Sequence, residues 1–364
     1  MASPVETASA CFTATYGSAP EAVVTAPGRV NLIGEHTDYV GGWVFPAPLA
    51  LHTAIAYRRR DDDRVNAVSA NMSERQSFRI GGQGVAPWAG YLAACAWALR
   101  EEGFELSGCD LAVASNVPTG SSLSSSAALE VACCRLFRQM NALSLSDVDI
   151  AQIGKRAEND YIGVPTGILD QFASSVPQGS EAMLLDCRDL SFEVVDIPED
   201  WCFMVIDSKA PRELANSAYR ERVSECERIA ERLGFAEGLL GLRELQEGQL
   251  EQLDGVLLRR ARHIVSENAR VLAAKDAMLQ GDREGFARAM VASHRSLRDD
   301  YEVSSPALDG IVESLLSAPG CYGARMTGGG FGGCVVALCD KGAEQELEAL
   351  VQRNRPQALH VTSL

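Results

Sequence analysis

Three segments rich in glycine and hydroxyl residues, together with one isolated acidic segment, carry the side chains of this sequence that could do chemistry. The three are APGRVNLIGEHTDY at 26–39, VPTGSSLSSSAALE at 117–130 and GARMTGGGFGGC at 323–334, and the acidic segment is GVPTGILDQF at 163–172. Small residues let a ligand approach the backbone, while charged and hydroxyl side chains can bind it or move protons. One such loop is compatible with a tight turn, but the set indicates a site for a nucleotide and a polyol.

The second segment has the composition of an anion site at the start of a helix. The last two serines of SSLSSS, at 121–126, begin the segment SSAALEVACCRLFRQM at 125–140, whose apolar residues have helical spacing. A helix N-terminus offers unpaired N–H groups and partial positive charge, and serine hydroxyls add donors. The alternative is a serine-rich helix cap, and the segment alone leaves both open. No lysine completes a Gly-Lys-Ser/Thr sequence, which excludes a Walker loop.

The third segment places five glycines within the six positions 328–333. It lies near the C-terminus and precedes a predicted strand, so it is not the dinucleotide G-x-G-x-x-G of an N-terminal βαβ unit. One interpretation is a glycine turn or a set of bulges. Because so many glycines are costly in conformational entropy, we favour close approach to another backbone or to a ligand.

The polar turn GEHTDY concentrates Glu35, His36 and Asp38 within four positions. The spacing suits neither a helix nor zinc chelation, and Thr37 with Asp38 would be ordinary in a turn. As a polyol site the group makes chemical sense, because carboxylates accept hydrogen bonds from vicinal hydroxyls and His36 can donate or accept. Arg29 could project into the same cavity, and its alternative role is a structural ion pair.

Asp170 lies among the apolar residues of GILDQF, after Pro165 and Gly167. A charge in such surroundings needs a partner. One interpretation is a helix cap. The other is a carboxylate that receives a hydroxyl proton during phosphoryl transfer, a reaction in which positioning dominates over covalent work by the protein.

Strands and helices must position these residues. We predict strands at 21–34 (strand, turn, strand), 48–60, 109–118, 191–197, 201–208 and 334–339, and helices at 88–101, 125–140, 147–160, 214–234, about 256–280 and 283–299. Residues 1–20 are predicted to form an arm or a first helix, and Ser146 to cap a helix. A chain of 364 residues exceeds one ordinary core, so we predict two domains, 1–190 and 191–364.

Composition excludes several classes of protein. The 46% hydrophobic and 23% charged residues are typical of a soluble globular protein, and a formal charge of −16 argues against a nucleic-acid-binding face. The longest apolar stretch, YLAACAWAL, is too short to span a bilayer. Eleven cysteines without C-x-x-C spacing, and no basic residue before Arg29, predict free thiols in a cytoplasmic protein rather than a metal or redox site.

Together, GRVNLIGEHTDY, GSSLSSSAALE, GVPTGILDQF and RMTGGGFGGC resemble the motifs of galactokinases in the GHMP family of small-molecule kinases. SHRSLRDDYEVSSPALD at 293–309 adds to the resemblance, which runs from about residue 20 to 340. The GEHTDY form is specific to the galactokinase branch, whereas the two glycine loops are shared more widely. The resemblance implies an α+β fold of two domains, with the active site in the cleft between an N-terminal and a C-terminal α+β domain.

The resemblance also implies roles for individual residues. Asp170 corresponds to the catalytic base and Arg29 to a cation that stabilises the transition state. The implied substrate contacts are Glu35, His36, Thr37, Asp38, Gly167, Asp170 and Tyr219. The implied ATP contacts are Ser69 and Trp88 on the adenine side and Gly120, Ser121, Ser122, Leu123, Ser124, Ser125 and Ser126 in the phosphate loop. Ser126 and Glu158 correspond to the ligands of Mg²⁺.

The implied reaction is ATP- and Mg²⁺-dependent phosphorylation of the anomeric hydroxyl of α-D-galactose. The implied partners are galactose and ATP, without nucleic acid or membrane, in a monomer or weak dimer. Val40, Thr166, Glu213 and Ala218 depart from the usual pattern. They bear on sugar selectivity, so a related kinase of galacturonate, arabinose or N-acetylgalactosamine remains an alternative. A non-catalytic galactose and ATP sensor is disfavoured, because SSSAALE, Glu158 and Asp170 are all present.

Overall fold

The computed structural model describes residues 2–72, 74–82, 87–176, 179, 181–211 and 215–364. Glu213 therefore lies outside the described residues. The chain has an α+β fold with two compact units, one formed by 1–28, 50–118 and 124–176, the other by 29–49, 119–123 and 177–364. The predicted domain boundary near residue 190 stays a prediction.

The first unit is built around a five-stranded sheet. Its strands are β1 (Ala22–Asn31), β3 (Pro46–Arg59), β4 (Arg64–Ser69), β5 (Glu74–Arg79) and β6 (Cys109–Ser115), and its helices are α1 (Pro4–Tyr16), α2 (Pro87–Glu101), α3 (Ser125–Met140), α4 (Asp147–Arg156) and α5 (Leu169–Ser175). The strand order is β1-β3-β6-β4-β5. β6 pairs antiparallel with β3 and parallel with β4, and β5 returns antiparallel to β4.

Helices cover both faces of this sheet, because successive strand residues point to opposite sides. Ile55, Tyr57, Leu111 and Val113 lie in the core that includes buried residues of α2, α3 and α4. The intervening alanines of β3 and β6 instead pack against α1, whose Ala8 and Phe12 are fully buried. The small side chains on that face let α1 lie close to the sheet.

The second unit carries two smaller sheets and most of the long helices. Its strands are β2 (Trp43–Val44), β7 (Ala182–Asp186), β8 (Phe192–Val195), β9 (Trp201–Asp207), β10 (Cys321–Thr327), β11 (Cys334–Asp340) and β12 (Leu359–Ser363), and its helices are α6 (Ala215–Leu233), α7 (Gly255–Leu279), α8 (Arg283–Asp299), α9 (Pro306–Leu316) and α10 (Glu344–Asn354). The four-stranded sheet has the order β10-β11-β9-β12 with antiparallel neighbours, and the other sheet has the order β2-β7-β8.

Most predicted elements are confirmed, including the helix at the N-terminus and the capping box in which Ser146 begins α4. The predicted turn within 21–34 is wrong, because Ala22–Asn31 is one continuous strand through Pro27 and Gly28. β1 lies at the edge of its sheet, where a proline without an N–H is tolerated. All eleven cysteines are free, as predicted. Within the described residues, every helix is too short or too polar to cross a bilayer.

Candidate active site

Glu35 anchors the first motif to the third. One carboxylate oxygen accepts hydrogen bonds from Asn31 Nδ2 at 2.8 Å and Arg325 Nη2 at 2.5 Å. The other accepts from the Gly328 backbone N–H at 2.7 Å and lies 3.0 Å from Thr327 Oγ1, whose single hydrogen is shared with the Asn31 carbonyl at 2.9 Å. These contacts use most of the acceptor capacity of the carboxylate, so a sugar hydroxyl at Glu35 would compete with protein donors.

The Glu35–Arg325 pair is deeply buried, with side chains 3% and 0% exposed. Burial raises the pKa of the Glu35 carboxyl, and the Arg325 guanidinium opposes that shift. Because the surrounding groups are donors, the carboxylate form matches its hydrogen bonds. Arg325 also donates to the carbonyls of Asn31 and Leu32, so the strand end before GEHTDY and the strand end before the glycine loop are held together.

His36 has its two ring nitrogens in distinct hydrogen bonds. Nε2 lies 3.3 Å from the Gly329 carbonyl, which can only accept, and Nδ1 lies 3.1 Å from the Tyr39 hydroxyl. The neutral ring with the proton on Nε2 satisfies both contacts. Burial lowers the pKa of His36 to about 3, which keeps the ring neutral at physiological pH. The hydroxyl of Tyr301, 2.8 Å from that of Tyr39, extends this network.

The remaining residues of the first motif lie in different surroundings. Thr37 is fully buried, and its hydroxyl lies within donating distance of the Gly34 and Trp43 carbonyls, at 2.9 and 2.7 Å. Asp38 begins a short 3₁₀ turn and is partly exposed. The ring of Tyr219 lies 5.5 Å from the His36 ring. The structure thus brings Tyr219 to the GEHTDY turn from a segment nearly 200 residues away.

The glycines of the third motif allow backbones to approach each other. A side chain at Gly328 would meet Ser122 Cβ at 2.5 Å, one at Gly333 would meet Ser122 Oγ at 2.3 Å, and one at Gly330 would meet the Val303 carbonyl at 2.2 Å. Gly328, Gly330 and Gly333 also have φ near +80°, a conformation that favours glycine. Both interpretations therefore hold, because residues 328–333 form the turn between the paired strands β10 and β11 and their glycines permit the close approach.

The phosphate loop has an unusual backbone and unused hydroxyls. Gly120, Ser122 and Ser124 have φ values of 72°, 66° and 59° and alternate with residues of the usual sign. Such alternation turns successive N–H groups toward one side and is typical of anion-binding nests. Ser124 stands before α3 without a side-chain capping bond, so the serine-cap alternative is wrong. The Ser122 and Ser124 hydroxyls are buried without a partner among the described residues.

Arg29 lies at the end of β1 and is 4% exposed. Its Nη1 donates to the Ser122 carbonyl at 2.6 Å, and its backbone N–H donates to the Leu123 carbonyl at 3.2 Å. These bonds attach Arg29 to the phosphate loop. Asp170 lies in the first turn of α5, where Ile168 is the residue that precedes the helix. Asp170 therefore lies inside the first turn of the helix rather than at its N-cap position.

Carboxylates cluster near Asp170 in the first unit. Glu158 lies in a π-helical turn, Ala157–Ile162, that continues α4, and such turns are frequent at functional sites. Burial, followed by the negative charge of Asp170, raises the pKa of Glu158 to about 7. Glu130 on α3 is fully buried, and burial together with the charge of Glu158 raises the pKa of its carboxyl well above the usual value.

The residues around Glu158 fit a divalent cation that is bound partly by its substrate. Both hydrogen bonds that described residues make to this carboxylate, from Thr166 and Gln171, reach Oε2, which leaves Oε1 for a ligand. Among the described residues, no group of three or more His, Cys, Asp or Glu could hold a metal by itself. Mg²⁺ typically takes one or two carboxylates and completes its octahedron with phosphate and water oxygens, so the two observations agree.

Ser69 and Trp88, assigned to the adenine side, have structural contacts within the first unit. Ser69 ends β4, and its hydroxyl accepts the Met72 N–H at 3.2 Å. Trp88 packs in the core and donates from Nε1 to Glu74 at 3.0 Å. Their contact with a nucleotide stays a prediction.

Several residues that organise the site were not predicted from the sequence: Asn31, Arg325 and Thr327 around Glu35, Tyr301 beside Tyr39, and Glu130 and Gln171 beside Glu158. Most stand inside the quoted motifs, since Glu130 ends SSAALE, Gln171 follows Asp170, and Arg325 and Thr327 precede the glycines. Their position within the motifs is the sequence feature that could have identified them as site residues.

Comparison with known proteins agrees with this geometry. A galactokinase galactose-binding signature matches residues 10–59, the N-terminal domain of GHMP kinases matches residues 90–177, and the C-terminal domain of GHMP kinases matches residues 274–356. Galactokinases from Roseiflexus sp. strain RS-1 and Chloroflexus aggregans are 43% and 42% identical, each over 91% of this chain. The alignments cover 86% and 87% of those two proteins.

Solved structures agree with these matches, one through a shared fold and another through similarity in both fold and sequence. The mevalonate kinase of Methanococcus jannaschii matches with a TM-score of 0.65 at 19% identity, over 96% of this chain and 98% of that one, so the two chains share a fold. The matches to both GHMP kinase domains define the class of protein as a GHMP kinase. A galactokinase from Lactococcus lactis, solved with galactose, matches with a TM-score of 0.91 at 34% identity, over 96% of this chain and 95% of that one. The chain belongs to the galactokinase family and is an ATP-dependent sugar kinase.

Proposed function

We propose that this enzyme transfers the γ-phosphoryl group of ATP to the anomeric hydroxyl of α-D-galactose, giving galactose 1-phosphate and ADP. The observation that carries the proposal is the phosphate loop, which combines an uncapped helix start with two buried serine hydroxyls lacking protein partners among the described residues. Such a loop suits the phosphates of a nucleotide. The similarity to a galactokinase solved with galactose supports the choice of sugar.

In this proposal each motif has one task. Asp170 accepts the proton of the anomeric hydroxyl as its oxygen attacks the γ-phosphorus and the bond to the β-phosphate oxygen breaks. Arg29, with its carbonyl contact in the phosphate loop, stabilises negative charge on the transferring group. The loop 120–126 binds the phosphates, and Ser69 and Trp88 contribute on the adenine side. Ser126 and Glu158 would hold Mg²⁺, which when bound neutralises phosphate charge.

The sugar contacts that we propose are His36, Asp38, Gly167, Asp170 and Tyr219, together with Glu35 and Thr37 of the first motif. The hydrogen bonds that already engage Glu35, Thr37 and both ring nitrogens of His36 indicate that these three act chiefly by fixing the shape of the turn. Asp38 is partly exposed, so its carboxylate is the better placed of the two acids to accept sugar hydroxyls. We further propose a cytoplasmic monomer or weak dimer, in keeping with the free cysteines.

A sugar panel tests the substrate. ADP release would be measured with galactose, glucose, galacturonate, arabinose and N-acetylgalactosamine at equal concentrations. We expect galactose to be preferred over glucose, because a buried acceptor left unpaired by the wrong epimer costs about 1–3 kcal/mol, roughly ten- to a hundredfold in kcat/KM. Turnover of another sugar without turnover of galactose would contradict the proposed substrate.

The variant Asp170→Asn tests the catalytic base and separates an enzyme from a sensor. It keeps the shape of the side chain but removes the proton acceptor, so ADP release should fall by 10²-fold or more, on the order expected for general bases. Galactose and nucleotide binding, measured by calorimetry, should survive. Asp61→Asn, an exposed substitution in the same unit, is the matched control. Equal ADP release by Asp170→Asn and the control would remove Asp170 from the mechanism.

A further inference from the structure

One side-chain amide connects two of the buried carboxylates in the first unit. Gln171 is fully buried, and its Nε2 lies 2.9 Å from Glu130 Oε2 and 2.8 Å from Glu158 Oε2. A primary amide carries two hydrogens on this nitrogen, so each carboxylate receives one of them. The amide is therefore a bridge between Glu130 on α3 and Glu158 in the π-helical turn.

Three helices fix this bridge in place. Gln171 belongs to α5 and directly follows Asp170, and Glu130 belongs to α3. On α4, Gly154 leaves the space that the amide side chain occupies, since a Cβ there would lie 3.0 Å from Gln171 Cγ and 3.7 Å from Glu130 Cβ. A residue larger than glycine would press on the bridge.

Of the two donors near Glu158 Oε2, Gln171 is the one whose hydrogen is not shared with another acceptor. Thr166 Oγ1 lies 3.1 Å from Glu158 Oε2 but also 3.0 Å from Asn159 Oδ1, and a hydroxyl has one hydrogen for the two acceptors. Because the Gln171 amide holds Glu158 Oε2, rotation of the Glu158 carboxylate is restricted. The other oxygen, Oε1, is therefore kept in one orientation. Gln171 orients the carboxylate without adding a positive charge, whereas a lysine there would neutralise it and compete with a cation.

We infer that Gln171 and, through it, Glu130 are positioning residues that hold the Glu158 carboxylate in the orientation that binds Mg²⁺. This inference rests on the proposed role of Glu158 as a metal ligand. Glu130 acts by taking the second hydrogen of the amide, which prevents the Gln171 side chain from turning away from Glu158. Loss of either residue lowers the affinity for Mg²⁺ and leaves the phosphate loop and the sugar contacts of the first motif in place.

The test measures Mg²⁺ binding rather than turnover alone. Binding of a non-hydrolysable ATP analogue would be followed by calorimetry, first with a chelator and then along a Mg²⁺ titration. Gln171→Met, which keeps volume and removes both donors, should raise the Mg²⁺ concentration for half-maximal effect by about 10-fold or more, as outer contacts of metal ligands do. Its affinity for the analogue in chelator should stay within about twofold of the unaltered enzyme.

Variants at Glu130 and Gly154 keep the inference falsifiable if Gln171→Met folds poorly. Glu130→Leu should also raise the Mg²⁺ requirement, and Glu130→Gln should recover most of the loss, because its carbonyl can accept the same amide hydrogen. Gly154→Ala adds one methyl group against Gln171 and should give a smaller increase in the same direction. Gln139→Met on the exposed face of α3 is the matched control.

One outcome would contradict the proposed metal ligand, and a different outcome would contradict the positioning role of Gln171 and Glu130. If Glu158→Gln itself leaves the Mg²⁺ requirement unchanged, the proposed metal ligand is wrong. If Glu158→Gln raises the requirement but Gln171→Met, Glu130→Leu and Gly154→Ala behave like the Gln139→Met control, Glu158 needs no positioning and the inference is overturned.

Discussion

The buried ion pair between Glu35 and Arg325 gives the sharpest prediction for stability. Replacing Arg325 by Met fills part of the volume but removes the charge, leaving a 3% exposed carboxylate with only its neutral donors. It also frees the carbonyls of Asn31 and Leu32. Breaking a buried pair on one side typically costs about 3–5 kcal/mol.

The lower end of that range is the better expectation. Arg325 Nε is a buried donor without a partner among the described residues, so the unaltered protein already carries a desolvation penalty that the variant loses. We therefore expect a loss of about 3 kcal/mol, which is a large share of the 5–15 kcal/mol that a typical protein has. Urea unfolding followed by circular dichroism measures it, and Arg353→Met on the exposed face of α10 is the control.

A second substitution separates charge from volume. In the Arg325→Met background, Glu35→Gln removes the uncompensated negative charge while its carbonyl still accepts from Thr327 and Gly328. The double variant should therefore be more stable than Arg325→Met alone. A loss no larger than that of Arg353→Met, or a double variant less stable than Arg325→Met, would refute this account of the pair.

Two further predictions concern acid stability and the glycine loop. Burial lowers the pKa of His36 to about 3 and of His263 to about 4, so between pH 6.5 and 4 the unfolded chain binds protons that the folded chain does not. Each histidine should therefore lower the free energy of unfolding by about 1.4 kcal/mol per pH unit as the pH falls through that window, whereas Glu158, whose pKa is raised to about 7, acts in the opposite direction. The histidine contribution is isolated by comparing the unaltered protein with His263→Gln, and urea midpoints with the same pH dependence in both proteins from pH 6.5 to 4.5 would contradict it. Gly328→Ala would place a Cβ 2.5 Å from Ser122 Cβ, so it should disturb the phosphate loop and weaken ATP binding. The control Gly103→Ala has a similar positive φ and open space around the added Cβ, so it should cost only the backbone strain of about 1–2 kcal/mol in stability. Equal nucleotide Kd values for the two variants would show that the overlap is relieved without moving the phosphate loop.

Local patterns in the sequence predicted most of the elements correctly. The apolar spacing in α3 and the capping box of α4 are properties of neighbouring residues, so a short window contains them. The misjudged turn in β1 shows the limit of such windows. Whether Pro27 interrupts a strand depends on whether the strand lies at a sheet edge, and that is decided by residues far along the chain.

The candidate site was predicted in the same uneven way. Residue types identified GEHTDY and the serine loop as binding segments, because carboxylates, hydroxyls and glycines have few other reasons to concentrate there. They did not reveal that Glu35 already accepts hydrogen bonds from several protein donors or that Ser124 makes no cap. Both facts depend on partners or backbone angles that a sequence pattern does not specify.

The sequence by itself determined which chemistry is available, since the motifs name the acids, the arginine and the loop that phosphoryl transfer needs. Only the tertiary structure decided how that chemistry is held. Arg325 reaches Glu35 across 290 positions, and Gln171 joins two carboxylates from different helices. Such contacts arise because packing brings distant segments within hydrogen-bond distance, and a buried polar group must then find a partner there rather than in water.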